Sequence, residues 1–239
     1  GTGNHLLSAS NYNNSNVLGV DLSLASLAFA KRKVEESGSK NIKFLHGDIL
    51  QLKKLNKRFD IIESSGVLHH MKDPIAGLKV LTDILEPHGY LKLGLYSKSA
   101  REGITKVREF IKQKNLKNTS KDIKIFRREI NYESKNSLKQ KLIYSRDFYS
   151  TSALRDLLFH VQEHYFSLPQ ISDILKNFNL QFLGFVFANA AIKKKFSKYF
   201  PEDRKNISLN NWHEFEIKYP NTFSNMYQFW VKKFNIFIY

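Results

Sequence analysis

Between Val17 and Tyr96, short apolar runs alternate with stretches of helical period, and this alternation restricts the chain to one architecture. Val17–Asp21, Ile42–Leu45, Asp60–Glu63 and Tyr90–Tyr96 read as strands. After the first, Ser23 stands as an N-cap before Leu24–Glu36. There Leu24, Leu27, Ala28 and Ala30 recur at helical spacing against Lys31, Lys33 and Glu35, and Gly38 stops the helix. A second helix over Asp73–Leu85 opens on Asp73-Pro74, an N-cap followed by proline at the first position, and closes at Pro87-His88-Gly89. Strands separated by single helices and short loops pair in parallel with right-handed crossovers. Runs this apolar suit strands buried on both faces. The expected fold is therefore α/β: a Rossmann-like, doubly wound, mostly parallel sheet with helices on both faces.

From Ser99 the pattern changes. Arg101–Lys114, Ser120–Asn131 and Lys135–Lys141 read as polar helices, and Tyr149–Gln162 and Gln170–Phe178 as further helices. Leu180–Phe187 reads as a strand, Ala190–Phe200 and Leu209–Tyr219 as helices, and Met226–Lys233 as a final antiparallel strand. Three units are expected: a nucleotide-binding core over 1–98, a helical lid or insertion over 99–178, and a segment over 179–239 that completes the sheet.

Charge is unevenly placed along the chain. The formal net charge is +16, with 29 Lys against 9 Arg, and residues 101–146 carry 14 basic and 5 acidic side chains. Such a segment can meet nucleic acid or acidic lipid. Phosphate readers favour arginine and interleave aromatics, and the dominance of lysine here equally suits a solvated helical face. The chain has no cysteine, which excludes disulfides and thiolate metal sites. No apolar run reaches the length of a membrane helix, since the longest, Leu180–Ile192, is interrupted by Gly184 and Asn189. No signal peptide is visible, and a cytoplasmic location is expected.

The candidate site lies at the carboxyl ends of the strands. Gly1-Thr2-Gly3 reads as the end of a glycine turn before a short helix over His5–Tyr12. Asp21 closes the next strand, Asp48 follows the second, and Ser64–Met71 follows the third. In a doubly wound sheet these stretches share one edge, where ligands bind. Glycines let backbone N–H groups approach a ligand, and a carboxylate about twenty residues on can accept from a ribose.

Taken together, Gly1-Thr2-Gly3, Val20-Asp21-Leu22-Ser23, Gly47-Asp48-Ile49-Leu50, Phe59-Asp60-Ile61-Ile62, Gly66-Val67-Leu68-His69-His70-Met71 and Leu85-Glu86-Pro87-His88-Gly89 resemble, in order and spacing, the class I S-adenosylmethionine-dependent methyltransferases. The small-molecule-type subgroup is the nearest in pattern. Phe166-Ser167-Leu168-Pro169-Gln170 and Met226-Tyr227-Gln228-Phe229-Trp230 are similar to a bacterial branch often joined to other modules.

The resemblance implies S-adenosylmethionine as cofactor and a role for each matching residue. Gly1 and Gly3 approach the methionine moiety, Asp21 the ribose hydroxyls, and Leu22 the adenine. Asp48 accepts the adenine amino group, Ile49 packs on the ring, and Ser64 lies near the methionine end. His69 and His70 are candidate catalytic bases, needed only if the acceptor must lose a proton. Tyr96, His160 and His164 are candidates for lining the acceptor pocket. The expected acceptor is a small molecule. The alternatives are a nucleic acid docked on 101–146 and a non-catalytic scaffold.

The resemblance also leaves two departures. Pro87-His88-Gly89 stands where the family has Pro-Gly-Gly. The family's first strand and first glycine have no counterpart, so an upstream segment is expected, and a gap between Val17–Asp21 and Phe59–Glu63. No metal is expected, because Gly66–His70 holds no carboxylate. His160-Val161-Gln162-Glu163-His164 matches the H-x-x-E-H pattern of inverted zinc peptidases, which requires both histidines on one helical face.

Overall fold

The computed structural model describes residues 6–7, 14–132, 143, 146–159, 162–187, 189–223 and 225–234. The first half follows the expected alternation: β1 (Val17–Asp21), α1 (Leu24–Ser37), β2 (Ile42–His46), β3 (Phe59–Ser65), α2 (Pro74–Asp83) and β4 (Leu85–Tyr96). A 3-10 helix over Ile49–Leu55 and another over Leu68–His70 complete it. The local signals act as expected. Ser23 Oγ accepts from the Ser26 N–H at 3.2 Å, and Gly38 takes a left-handed φ of 72° to end α1. Asp73 Oδ1 accepts from the Ile75 and Ala76 N–H groups at 2.9 and 3.0 Å. The turn expected at Pro87-His88-Gly89 lies within β4 as a bulge. The β3 pairing jumps from Phe59↔Leu85 to Ile61↔Tyr90, and His88 adopts a φ of 65° to absorb the extra residues.

The later elements are α3 (Lys98–Gln113), α4 (Ser120–Tyr132), α5 (Arg146–Tyr149), α6 (Thr151–Leu158), α7 (Leu168–Asn177), β5 (Leu180–Phe185), α8 (Ala190–Tyr199), α9 (Leu209–Lys218) and β6 (Met226–Lys233). The helix expected over Tyr149–Gln162 is the shorter α6, Thr151–Leu158, because Ser150 stands outside the helix and caps it, accepting from the Ala153 N–H at 3.3 Å. The helices expected over His5–Tyr12 and Lys135–Lys141 lie largely or wholly outside the described residues.

The strands form two sheets. β1 pairs with β2 in parallel, and β3-β4-β6-β5 form the other, with β6 antiparallel to both neighbours. Among the described residues no strand joins β1 to β3.

Two separate cores hold the chain together. In the larger one, Leu91, Leu93 and Leu95 of β4 and Tyr227, Phe229 and Val231 of β6 face inward at period two. They meet α2, α7 and an aromatic cluster in which Trp212 stacks on Phe196 at 3.7 Å between centroids. The smaller core sits inside the insertion: Val107 and Ile111 of α3, Ile123, Phe126 and Ile130 of α4, then Phe148, Leu154 and Leu158. The spacing of Ile123, Phe126 and Ile130 is that of one helical stripe. α7, expected in the lid, instead gives Leu168, Ile171 and Leu175 to the larger core. The insertion with a core of its own therefore ends at α6.

One buried polar junction ties α9 to the sheet. Glu216 accepts from the Ser97 hydroxyl at 3.0 Å and from the Tyr227 hydroxyl at 2.9 and 2.8 Å. Burial pushes the Glu216 carboxyl above its ordinary value of 4.5, against the pull of the hydrogen bonds from Tyr227 and Ser97. A carboxyl whose folded value is raised stabilises fully below its unfolded value, and that contribution fades as pH rises through the folded one. The melting temperature, measured against the Glu216→Gln variant, is therefore expected to fall as pH rises above 4.5. A difference that stays constant over that range contradicts the assignment.

Candidate active site

The carboxyl ends of β1, β2 and β3 open onto a cleft of about 300 Å³ at the break between the two sheets. Asp21, Leu22, Asp48, Ile49 and Ser64 all line it. Local bonds set each in place. Asp21 Oδ1 accepts from the Ser23 N–H at 2.8 Å, which folds the chain sharply after β1. The Gly47 N–H donates to the Asp21 carbonyl at 3.1 Å, and the His46 ring lies 2.9 Å from the Leu22 carbonyl, so the two strand-end loops are held together. Asp48 Oδ1 accepts from the Leu50 N–H at 2.9 Å and caps the first 3-10 helix.

The cleft has features of a ligand site. Leu22 is 67% exposed and Val67 41%, large apolar side chains left at its edge for a flat apolar surface to cover. Ser64 is buried, and its hydroxyl has no hydrogen-bond partner among the described residues. A buried hydroxyl in that state suits the polar end of a ligand. Gly1 and Gly3 lie outside the described residues.

Next to the cleft, past β3 and β4, the remaining expected residues separate. His69 is fully buried and stacks on Tyr96 at 3.7 Å between ring centroids; His70 meets the same ring edge-on at 5.5 Å. Met71, immediately after them, lines the cleft, whereas neither histidine does. Tyr96 ends β4, and burial raises its hydroxyl above its ordinary range despite the Arg101 charge beside it. His164 belongs to an extended strap over 162–167, not to a helix. The helical face that the H-x-x-E-H pattern requires is therefore lacking. His160 lies outside the described residues, and among those described no group of side chains could hold a metal ion.

The strap crosses the ends of β3 and β4. The His164 N–H donates to the His69 carbonyl at 2.8 Å, the Phe166 N–H to Tyr96 at 2.9 Å, and the Lys98 N–H to Phe166 at 2.8 Å. It carries Glu163 into a charged cluster that the sequence did not reveal. The Arg108 guanidinium lies 2.8 Å from Glu163, Arg101 lies 3.7 Å from it, and the Tyr165 hydroxyl donates to Glu163 at 3.1 Å. The Arg101 guanidinium also sits 3.6 Å above the Tyr96 ring. Arg101 and Arg108 thus point inward, although they fall in the segment expected to offer a basic surface. Their signal was their spacing: two of the nine arginines stand seven residues apart, on one face of α3.

Comparisons with known proteins fit this geometry. Residues 1–89 match the family model described as a methyltransferase domain. An uncharacterized protein of Synechococcus sp. is 28% identical over 180 residues, covering 71% of this chain and 42% of that protein. Among solved structures, PKMT2 from Rickettsia typhi superimposes with a TM-score of 0.68 at 19% identity, over 98% of this chain and 46% of that one. The same protein in complex with AdoHcy gives 0.64 at 18% identity, over 95% and 46%. The [4+2]-cyclase SpnF gives 0.51 at 13% identity, over 98% and 72%. The chain spans less than half the length of the Synechococcus and Rickettsia proteins. Residues 1–89 thus resemble a methyltransferase domain, and the chain shares the Rossmann-like fold of class I methyltransferases.

Proposed function

We propose that the protein containing this chain transfers a methyl group from S-adenosylmethionine to a small-molecule acceptor at the edge formed by β1, β2, β3 and β4. The observation that carries this reading is the cleft that gathers Asp21, Leu22, Asp48, Ile49 and Ser64 from three strand ends. Its volume and mixed lining are those of small-ligand sites, and the unpartnered Ser64 hydroxyl fits the polar methionine end. The AdoHcy complex of the Rickettsia protein supports the same cofactor.

When bound, the cofactor supplies a methyl group already activated on sulfonium. The residues of this chain bind and orient. Asp21 accepts from the ribose hydroxyls, Leu22 and Ile49 pack on adenine, and Asp48 accepts from its amino group. His69, His70 and Tyr96 form the wall on the acceptor side, and the strap excludes water from it. Calorimetry on the full-length protein is expected to give micromolar AdoHcy binding, weakened about tenfold by Asp48→Ala through loss of one hydrogen bond to the adenine. Absence of binding overturns the reading.

A second reading, a nucleic-acid acceptor, rests on the exposed lysines Lys106, Lys112, Lys117, Lys121 and Lys124 of α3, α4 and the turn between them. It requires nucleic-acid affinity that falls steeply with salt and is lost on charge reversal of Lys106, Lys112, Lys117 and Lys124. A third reading is the non-catalytic scaffold. It requires function in cells to survive Asp21→Ala.

A further inference from the structure

We propose that the buried Arg101 guanidinium is an oxyanion-binding site, and that the methyl acceptor carries a carboxylate or phosphate that Arg101 holds. The word acceptor rests on the methyl-transfer reading above; the oxyanion site does not. Arg101 is 1% exposed, and its Nε, Nη1 and Nη2 have no hydrogen-bond partner among the described residues. A buried ion in that state is costly unless a partner of opposite charge completes its shell.

The neighbouring charges show what is missing. Arg108 is fully engaged: it donates to the Leu157 carbonyl at 3.2 and 2.7 Å and to the Tyr165 hydroxyl at 3.2 Å, and it faces Glu163 at 2.8 Å. Glu163 Oε1 lies 2.8 Å from Arg108 and 3.7 Å from Arg101, within ion-pair distance of both and hydrogen-bonded to neither. Two guanidinium groups share one carboxylate in a buried cluster, and a second oxyanion brings the charges level.

Position and residue type agree with this assignment. The Tyr96 ring, at the end of β4, has its centroid 3.6 Å from the guanidinium carbon and stacks on His69, two residues before Met71 of the cleft. Arginine, used sparingly in a chain with 29 Lys, presents a planar fork that matches carboxylate or phosphate with two parallel bonds. Glu163 stands close to the place where such an anion binds and competes for it.

The test titrates the full-length protein at constant ionic strength with sodium benzoate and, separately, with inorganic phosphate, and reads the heat of binding. Saturable binding of one of the two is expected, and which one saturates tells carboxylate from phosphate. Arg101→Met is expected to weaken it by at least about tenfold, and Arg101→Lys by less, since the charge remains without the fork. Glu163→Gln, which removes the competing carboxylate, is expected to tighten it, an effect that a purely structural ion pair does not produce. The proposal is overturned if neither anion saturates in the wild type and in Glu163→Gln, or if Arg101→Met, or Arg101→Lys should the former not fold, binds as the wild type does. AdoHcy titrated into the same samples separates the two readings. Anion binding without AdoHcy binding refutes methyl transfer and upholds the oxyanion site; AdoHcy binding without anion binding does the reverse.

Discussion

Asp21→Ala is expected to lower the affinity of the full-length protein for AdoHcy by about a hundredfold, through loss of a charge-assisted pair of hydrogen bonds worth roughly 3 kcal/mol. The side chain is placed for this by two contacts that survive its loss only in part. The Ser23 N–H donates to its carboxylate at 2.8 Å, and the Gly47 N–H donates to its backbone carbonyl at 3.1 Å. Removing the carboxylate frees the first of these, while the second, through the backbone, keeps the loop near its position. Asp21→Asn separates the two roles. It can still accept from Ser23 but carries no charge, so its affinity is expected to lie between wild type and Asp21→Ala. Isothermal titration of the three proteins is the check. Equal affinity in all three assigns Asp21 to turn formation alone.

Trp212→Ala is the most destabilising single substitution expected, at about 3–5 kcal/mol, the range for deleting a large aromatic from a packed interior. Trp212 is fully buried, stacks on Phe196 at 3.7 Å, and meets Phe185 and Phe215 edge-on at 5.4 and 5.7 Å. Its indole N–H donates to the Asn206 carbonyl at 2.9 Å, so alanine removes both the packing and the donor. Trp212→Phe keeps most of the ring contact and loses the donor, and is expected to cost much less. Denaturant titration distinguishes these outcomes, and equal loss in both variants contradicts the packing argument. Because α9 carries Trp212 on one turn and Glu216 on the next, damage here also loosens the Ser97–Glu216–Tyr227 junction at the end of β4.

What the sequence made legible, and what it did not, follows from the range of the interactions concerned. Ser23, Gly38, Asp73 and Pro74 act on groups within a few residues, and they set both ends of α1 and the start of α2, whereas α2 stops at Asp83, before the expected Leu85, which begins β4. The strand-end carboxylates Asp21 and Asp48 were legible because strand order places all such ends on one edge. The bulge at His88 was not, since its cause is the pairing of β4 with β3, which no local pattern encodes. Nor was the Arg101–Glu163–Arg108 cluster. Its members lie far apart in sequence, and as charged residues of a Lys-rich helical segment Arg101 and Arg108 read as surface. Only the strap, held by Phe166 against Ser97 and Tyr96, brings Glu163 to them.

Ultraviolet cross-linking of tritiated S-adenosylmethionine to the full-length protein, followed by peptide mapping, tests the cleft between β1 and β3 most directly. Label is expected in peptides that contain Asp21–Leu22 or Asp48–Ile49, and is expected to be suppressed by excess AdoHcy. Label confined to α3 and α4, or none that AdoHcy competes away, contradicts the assignment of this cleft as the cofactor site.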